Sequence, residues 1–292
     1  MDIKVLRYFL ALAREESVTA AAEYLHLTQP TLSRQLSELE DELGTTLFIR
    51  GSRKITLTDE GMRLRKRAEE IVELVRKTEA EFQAPVEIIS GDIYIGGGES
   101  YVMGLVADVI KELQNDYPHV NVHIFSGDAD EVTERIDKGL LDFGVLIEPA
   151  HISKYDSLVL PAKDTWGVLM RKDSPLAQKE FIQPKDLWDL PLIGSKQRFV
   201  DDRIAKWIKR DYKKLNIVAT YNLIFNATLM VEKGIGYALC LDKLVNTAGN
   251  SSLCFRPLKP VLEVDVDIVW KKYQIFSKPA ELFLQRLKAA FG

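Results

Sequence analysis

Hydroxyl, amide and guanidinium side chains are concentrated in one short stretch near the start of the chain. The stretch contains Thr28, Gln29, Pro30, Thr31, Ser33 and Arg34. Hydroxyl and guanidinium groups bond phosphate oxygens, and guanidinium and amide groups also bond base edges in the major groove. The chemistry open to these residues is therefore contact with a nucleic acid, provided that one helix presents them together.

The same stretch is predicted to open a helix with one apolar face. Thr28 is placed to cap the helix, Pro30 fits its first turn, and Gly44 ends it. Spacings of four, three and four residues put one row of leucines against a core: Leu32, Leu36, Leu39 and Leu43. Such a pattern is also typical of an ordinary surface helix, so the neighbouring elements decide between the two interpretations.

Those neighbours indicate a helix-turn-helix. Acidic residues fill only the second half of the helix, at positions 38, 40, 41 and 42, so the first half suits a phosphate backbone. Residues 19–25 predict a preceding short helix that Ser17 can cap, with a turn at 26–28. A first helix from Asp2 to Arg14 packs beneath the pair, and the second helix of such a motif enters the DNA major groove.

A basic wing is predicted to follow. Short β-type runs at 47–50 and 55–57 flank a turn at 51–54, and Arg50 and Arg53 lie at its tip. Residues 50–67 carry seven Lys or Arg against two Asp or Glu, although the whole chain has a net charge of −4. A basic surface is therefore local, and the chain does not coat nucleic acid or membrane nonspecifically. The elements together predict a winged helix-turn-helix that binds double-stranded promoter DNA.

A long helix capped by Thr58 carries a narrow apolar row at heptad spacing. Its members are Leu64, Ala68, Ile71, Val75 and Phe82. Such a row is typical of a helix that pairs with a copy of itself, which would place two DNA-binding domains on two half-sites. The alternative is a helix that packs on its own domain.

The rest of the chain alternates strands with helices. Strands are predicted at 92–96, 120–125, 143–147, 166–170, 217–221, 237–241 and 264–270, with helices at 101–116 and 130–139, around Ile208, from Ala227 and from Ser277. Two lobes with similar patterns predict a ligand cleft between them. The turn Gly96-Gly97-Gly98-Glu99-Ser100 suits a small anion, such as a carboxylate, or is simply a tight connection.

Composition excludes several other classes. The 292 residues are 46% hydrophobic and 28% charged, with no apolar run of the roughly 20 residues that a membrane helix needs and no basic-then-apolar signal pattern. We expect a cytoplasmic protein without cofactors, whose Cys240 and Cys254 are buried structural thiols. The four His residues have no metal-ligand spacing, and no catalytic constellation is visible, so an enzyme is the least favoured class.

These motifs resemble the LysR-type transcriptional regulators. The DNA-binding signature is matched by residues 9–13 (FLALA), 17–25 (SVTAAAEYL), 28–36 (TQPTLSRQL), 47–50 (LFIR) and 57–61 (LTDEG). Looser landmarks of the family's effector domain are 140–143 (LLDF), 173–177 (DSPLA) and 231–236 (VEKGIG). The resemblance covers essentially the whole chain.

The resemblance implies an α/β multidomain protein. Residues 1–58 would form the winged helix-turn-helix and 59–88 a linker helix; 89–292 would form a two-lobed, periplasmic-binding-protein-like effector domain. Lobe I would take about 89–161 and 266–292, and lobe II about 162–265. The implied partners are a small-molecule effector, further copies of the chain in a dimer or tetramer, and RNA polymerase.

Carried over by position, the effector cleft would draw on Ser100, Ser126, Gly127, Glu148, Ser195, Arg198, Phe199, Phe225, Asn226 and Thr228. Arg198 is the candidate partner of a ligand carboxylate, because its fork allows bidentate pairing; the alternative is a solvated surface Arg. Glu99 and Glu148 complicate a plain anion site, and they would select an amine or hydroxyl or lie outside the pocket. A sensing module without DNA function is the alternative to the regulator.

Overall fold

The N-terminal part of the chain forms one compact unit, residues 1–83. The computed structural model describes residues 1–51, 54–83, 89–148, 150, 152–195, 202–211 and 214–292, and of residues 80–83, 202 and 205 it describes only the backbone. In this unit the elements run in the order α1 (Ile3–Glu15), α2 (Val18–Tyr24), α3 (Gln29–Leu43), β1 (Phe48–Arg50), β2 (Ile55–Leu57) and α4 (Asp59–Gln83).

Local chemistry sets the ends of these helices. Ser17 accepts a hydrogen bond from the Ala20 amide at the start of α2, and the Thr58 hydroxyl accepts one from the Gly61 amide at the start of α4. Gly44 ends α3 in the left-handed conformation, with φ of 64°. Thr28 precedes α3 as predicted, but its hydroxyl bonds the Thr31 hydroxyl at 2.8 Å and caps no amide.

The leucine row of α3 is buried over most of its length. Leu32, Leu36 and Leu39 join Leu6, Phe9 and Leu12 of α1 in one hydrophobic core. The prediction for Leu43 was wrong, since this side chain is 41% exposed. Glu40 turns toward the protein at this end instead, because its carboxylate accepts hydrogen bonds from the Leu47 and Phe48 amides at 2.6 and 3.4 Å.

The second unit, residues 84–292, is built on one long sheet. Its elements are β3 (Gly91–Gly97), α5 (Met103–Asp116), β4 (Val120–Ser126), α6 (Ala129–Asp137), β5 (Phe143–Ile147), β6 (Tyr155–Arg171), β7 (Leu192–Ser195), α7 (Asp202–Ile208), β8 (Ile217–Tyr221), α8 (Ile224–Glu232), β9 (Tyr237–Leu241), β10 (Leu253–Pro257), β11 (Glu263–Lys271) and α9 (Lys278–Phe291). The strand order is β4-β3-β5-β11-β6-β9-β7-β8, with β10 also paired to β6.

Two hydrophobic cores divide this unit into two lobes. Lobe I packs α5 and α9 on β3, β4 and β5, and lobe II packs α7 and α8 around β7, β8 and β9. The strands β6 and β11 pass between them: Leu160 lies in the first core and Trp166, on the same strand, in the second. The fold is therefore a winged helix-turn-helix followed by a two-lobed α/β domain, as predicted.

The sequence patterns missed parts of lobe II and of the crossing strands. Strands β7 and β10 and the first half of β6 were not predicted, α7 ends at Ile208, and α8 begins at Ile224. No strand was predicted for residues 155–165. Pro161 lies in this part of β6, opposite the register irregularity between Asp265 and Asp267. A proline is tolerated at such a point because no ladder hydrogen bond requires its missing N–H.

None of the helices in the described ranges combines the length and apolar character that crossing a bilayer would require.

Candidate DNA-binding face and effector cleft

The predicted DNA-contacting residues form an open face at the start of α3. Thr28, Gln29, Pro30, Thr31 and Arg34 are exposed, whereas Ser33 is half-buried. The Arg34 side chain is 71% exposed. Because the first amides of a helix have no intrahelical acceptor and mark its positive end, this face attracts phosphate.

Arg34 is only weakly engaged within the protein. Its Nε lies 3.7 Å from the Glu38 carboxylate, one turn along the helix, and both side chains are exposed. Surface pairs of this kind contribute little to stability. Glu38 also accepts a hydrogen bond from Gln35 at 2.7 Å. The guanidinium is therefore available to a base edge or a phosphate.

The wing is anchored to the helices by its backbone. Strands β1 and β2 pair antiparallel, with Arg50 opposite Ile55, and the Ile55 amide donates to the Glu16 carbonyl at 2.8 Å. Arg50 is exposed, with its guanidinium 6.0 Å from the centre of the Phe48 ring. Arg53 lies outside the described residues.

The apolar row of α4 is largely used within its own chain. Ala68 is fully buried, and Leu64 and Ile71 pack against the same core, whose other members include Leu6 and Phe9 of α1. Ala68 is thus covered by its own chain, as the alternative interpretation of the row expects, and its place in a dimer seam stays a prediction. Val75 is half-buried, and the Phe82 side chain lies outside the described part.

A cavity of about 280 Å³ opens at the carboxyl ends of β3 and β4. Its lining consists of Gly97, Gly98, Glu99, Ser100, Met103, Ile124, Ser126 and Leu244. All but Leu244 belong to lobe I. Ser100 and Ser126, predicted to bind the effector, therefore lie together, as the ends of adjacent parallel strands require.

Ser100 is held by a buried carboxylate from the crossing strand β6. Its hydroxyl donates to Asp164 at 2.6 Å and accepts from the Val102 amide at 3.0 Å. Burial raises the pKa of the Asp164 carboxyl, although the hydrogen bonds from Ser100 and the Tyr101 amide oppose this. The Ser100 hydroxyl thus already donates its hydrogen bond within the protein, to Asp164.

The two carboxylates that complicated the anion site both bond across the lobes. Glu99 of lobe I accepts a hydrogen bond from the backbone amide of Ile224, the first residue of α8 in lobe II. Glu148, at the end of β5, lies 3.1 Å from the Arg203 guanidinium of α7. The two lobes are therefore in contact at the cleft through Glu99 with the Ile224 amide and through Glu148 with Arg203.

Family models match both units. Residues 3–62 match the bacterial regulatory helix-turn-helix protein, lysR family, and residues 88–292 match the LysR substrate binding domain. The chain belongs to the LysR family of transcriptional regulators. Its members combine a DNA-binding helix-turn-helix with an effector-binding domain, so the predictions of family, fold and function are confirmed.

Relatives of similar length support this assignment. The chain is 30% identical to the uncharacterized HTH-type transcriptional regulator YwbI of Bacillus subtilis (strain 168), over 99% of this chain and 96% of that protein. It is 28% identical to YvbU of the same organism, over 100% and 99%. The crystal structure of CbnR, a LysR family transcriptional regulator, matches with a TM-score of 0.78 at 17% identity over 100% of both chains. A full-length CbnR complex with its target DNA matches with a TM-score of 0.75 at 17% identity, over 99% of this chain and 100% of that one. Both structural matches show the fold.

Other residues predicted for the effector site of this LysR-type regulator do not line the cavity. Gly127 is buried and donates its amide to the Gly97 carbonyl, and Thr228 donates its hydroxyl to the Ile224 carbonyl at 3.1 Å. Ser195 is buried at the end of β7, whereas Phe225 and Asn226 are exposed. Arg198 and Phe199 lie outside the described residues.

Several residues that shape the cleft were not predicted. Asp164 lies in the part of β6 for which no strand was predicted, and Ile124 was assigned only to a strand. Leu244 and Arg203 come from distant parts of the sequence, and their role depends on how lobe II meets lobe I. Of these residues, only Asp164 could have been proposed from the sequence, because it is an acidic residue next to the apolar run that begins at Trp166.

The two cysteines of this LysR-type regulator are buried on strands that flank β6 on opposite edges. Cys240 of β9 faces Gly167, and Cys254 of β10 faces Met170. Two strand spacings separate them by roughly 9.6 Å or more, beyond the ~7 Å limit for a disulfide. Burial raises the pKa of the Cys254 thiol, which lowers its reactivity. In the described ranges, His, Cys, Asp and Glu form no group able to hold a metal ion.

Proposed function

We propose that this LysR-family regulator recognises its promoter through the first half of α3 and through the wing. The observation that carries this proposal is the open face of Thr28, Gln29, Thr31 and Arg34 at the amino end of α3. Pro30 and Ser33 shape the same surface, and Arg50 and Arg53 of the wing would contact the flanking backbone. Arg34 is the residue placed to read a base edge.

The α4 helix supports self-association only in part. Its buried row, with Ala68 at its centre, supports the α1–α4 packing of one chain, and the half-buried Val75 continues the row beyond that contact. Met62 and Leu74 are exposed on α4 and leave apolar surface for a second copy. A dimer or tetramer would place paired α3 helices on two half-sites.

A small molecule that binds at the cavity beside Ser100 and Ser126 would regulate DNA binding. The cavity volume of about 280 Å³ suits a metabolite rather than a macromolecule. A ligand that binds one arrangement of the lobes more tightly shifts the protein toward that arrangement. We take a carboxylate as the effector class, RNA polymerase as the partner at the promoter, and the cytoplasm as the location, because promoter DNA lies there. The domain boundaries proposed for this activity are 1–58, 59–88 and 89–292.

A gel shift and footprint with the DNA upstream of its own gene test this function. The wild-type protein should protect two half-sites, and Arg34→Ala should weaken binding to that DNA. Arg7→Ala is the matched control, because Arg7 is an exposed arginine of α1 that pairs with Glu79 at 3.4 Å. Absence of a shifted complex at moderate salt would contradict the proposal.

A further inference from the structure

Glu99 places a carboxylate of the chain itself at the amino end of α8. The Ile224 amide donates to Glu99 Oε2, and Leu223, which precedes the helix, provides no side-chain cap. We propose that Glu99 is an intramolecular ligand that joins the two lobes when no effector is bound, and that an effector carboxylate acts by displacing it. This inference rests on the proposed effector function and names how that site is regulated.

The amino end of α8 is chemically an anion site. Its first amides have no intrahelical acceptor, and the helix dipole makes this end positive. Within the described part of the chain, no hydrogen bond is made by the amides of Phe225 and Asn226, which follow Ile224. The amino end of α8 therefore attracts a carboxylate, and the side chain of Glu99 provides that carboxylate.

Glu99 is positioned by its neighbours in lobe I. Gly97 and Gly98 line the cavity on one side, and a Cβ on Gly97 would approach the Val145 backbone oxygen to 3.2 Å. On the other side Ser100 is tied to Asp164 at 2.6 Å. The Glu99 backbone is thus fixed within lobe I, and its side chain makes the contact with lobe II.

Three of the other predicted donors near the cleft are already engaged. Ser100 gives its proton to Asp164, Thr228 gives its proton to the Ile224 carbonyl, and the Gly127 amide donates to the Gly97 carbonyl. Besides the exposed Ser126 hydroxyl in the cavity lining, an incoming carboxylate therefore finds its donors at the amino end of α8. To bind all the amides there, it must take the place of Glu99.

A second link between the lobes is weaker. Arg203 and Glu148 lie 3.1 Å apart, and their side chains are 35% and 37% exposed. Exposed ion pairs contribute little because water screens them and ordering two long side chains opposes pairing. Lys243 of lobe II also lies over the Tyr101 ring of lobe I, 4.8 Å from its centre. Of the contacts between the lobes, the Glu99 contact is the one that a free carboxylate can replace, so its removal should shift the lobes toward the open arrangement.

The test measures the distance between the lobes in the full-length protein. Spin labels at Lys111→Cys of α5 and Lys233→Cys after α8 occupy exposed positions in lobes I and II, and the buried Cys240 and Cys254 are protected from labelling. Labelled protein is diluted with unlabelled protein so that only distances within one chain are read. Glu99→Ala should reduce the ratio of closed to open lobes about tenfold, or about 1.4 kcal/mol.

Acetate provides the chemical probe. At matched ionic strength, sodium acetate should raise the unfolding midpoint of Glu99→Ala, because free carboxylate fills the vacated end of α8, but the long distance between the lobes should remain, because acetate is not attached to lobe I. Sodium chloride should not raise the midpoint, and wild type should respond less to acetate than Glu99→Ala, because Glu99 competes for the same amides. Glu99→Gln, which retains the shape and one acceptor oxygen, should fold normally, open partly and respond weakly.

Asp128→Ala is the matched control. Asp128 also caps a helix with its carboxylate, accepting from the Glu131 amide at 3.0 Å, but both residues belong to lobe I. Its loss should lower stability without changing the distance between the lobes. Unchanged lobe distances in both Glu99→Ala and Glu99→Gln, or an equal acetate response in wild type, would overturn the inference. Promoter binding is measured separately, and its absence would contradict the proposed function without altering the lobe distances.

Discussion

Ser100 and Asp164 are bonded at 2.6 Å although they lie on different elements and 64 residues apart. The bond ties the turn after β3 to the strand β6 at the point where β6 leaves lobe I. Both side chains are buried. The Ser100 hydroxyl, which the sequence predicted to bind an effector, is held in place in the cleft by this bond.

Replacement of Ser100 should therefore destabilise the C-terminal unit. In Ser100→Ala the buried Asp164 carboxylate loses a donor, and we expect a loss of about 1–3 kcal/mol in the free energy of unfolding. Denaturant unfolding measures it. Ser174→Ala is the control, since within the described residues the Ser174 hydroxyl bonds the Tyr237 hydroxyl at 3.1 Å and the Leu176 amide at 3.2 Å, and no carboxylate. Equal losses in the two variants would show that the carboxylate is not the reason.

Asp267 should make stability depend on pH. It is 3% exposed, and within the described ranges the structure shows no hydrogen bond to its carboxylate. Burial, and then the charges of Glu148 and Asp265, raise the pKa of its carboxyl above the ordinary 3.8. Because the folded state holds this proton more tightly than the unfolded state, Asp267 favours folding at low pH, and this contribution is lost as pH rises through the raised pKa.

Asp267→Asn should accordingly raise the free energy of unfolding at pH 7, by roughly 1–3 kcal/mol. The gain should shrink toward zero as pH falls below the ordinary value of 3.8, where wild type is protonated in both states. Thermal unfolding across this pH range measures the difference. Asp189→Asn, which removes an exposed carboxylate that pairs with Arg210 at 3.0 Å, should show no such gain. A gain for Asp267→Asn that does not vary with pH would refute the argument.

Arg34→Ala should lower affinity for the promoter by about 1–3 kcal/mol if Arg34 reads a base edge. The loss should be largest for the intact site and smaller for a site mutated at the contacted base. Unfolding should change little, because the Arg34–Glu38 contact at 3.7 Å is exposed. Fluorescence anisotropy at fixed salt gives the affinities, and an unchanged affinity would remove Arg34 from the recognition surface.

Ala68→Leu should destabilise the N-terminal unit rather than merely alter assembly. Ala68 is fully buried, so a larger side chain overpacks the contact between α1 and α4 and costs about 1–3 kcal/mol. The destabilisation should remain at every protein concentration. Leu74→Ala, at a position 41% exposed, is the contrasting variant and should affect assembly more than folding. A concentration-dependent effect of Ala68→Leu alone would restore the simple dimer seam.

Cys240→Ala combined with Cys254→Ala should leave the response of DNA binding to peroxide unchanged. The two thiols are buried on opposite edges of β6 and cannot form a disulfide without moving strands. Gel shifts with and without peroxide measure the response. A peroxide effect that disappears in the double variant would identify a redox switch.

Short-range patterns were enough to predict the N-terminal unit. Caps at Ser17 and Thr58, the stop at Gly44 and the buried part of the leucine row all depend on neighbours within a few residues. The exposed face of α3 followed from the same periodicity. The exposure of Leu43 and the burial of Ala68 depend on which surface covers a side chain, and local spacing does not carry that information. Thr28, predicted to cap α3, bonds the Thr31 hydroxyl instead.

The alternation of strands and helices determined the class of the second unit, and the glycine turn before Ser100 marked the place of its cavity. Only the tertiary structure decided what the polar groups there do. Glu99 meets an amide 125 residues away, Ser100 meets Asp164, and Glu148 meets Arg203. Each of these contacts depends on how two strands cross between two lobes. A hydrogen bond requires its donor and acceptor to lie about 3 Å apart. The partner of each polar group is therefore determined only when folding brings distant segments of the chain together.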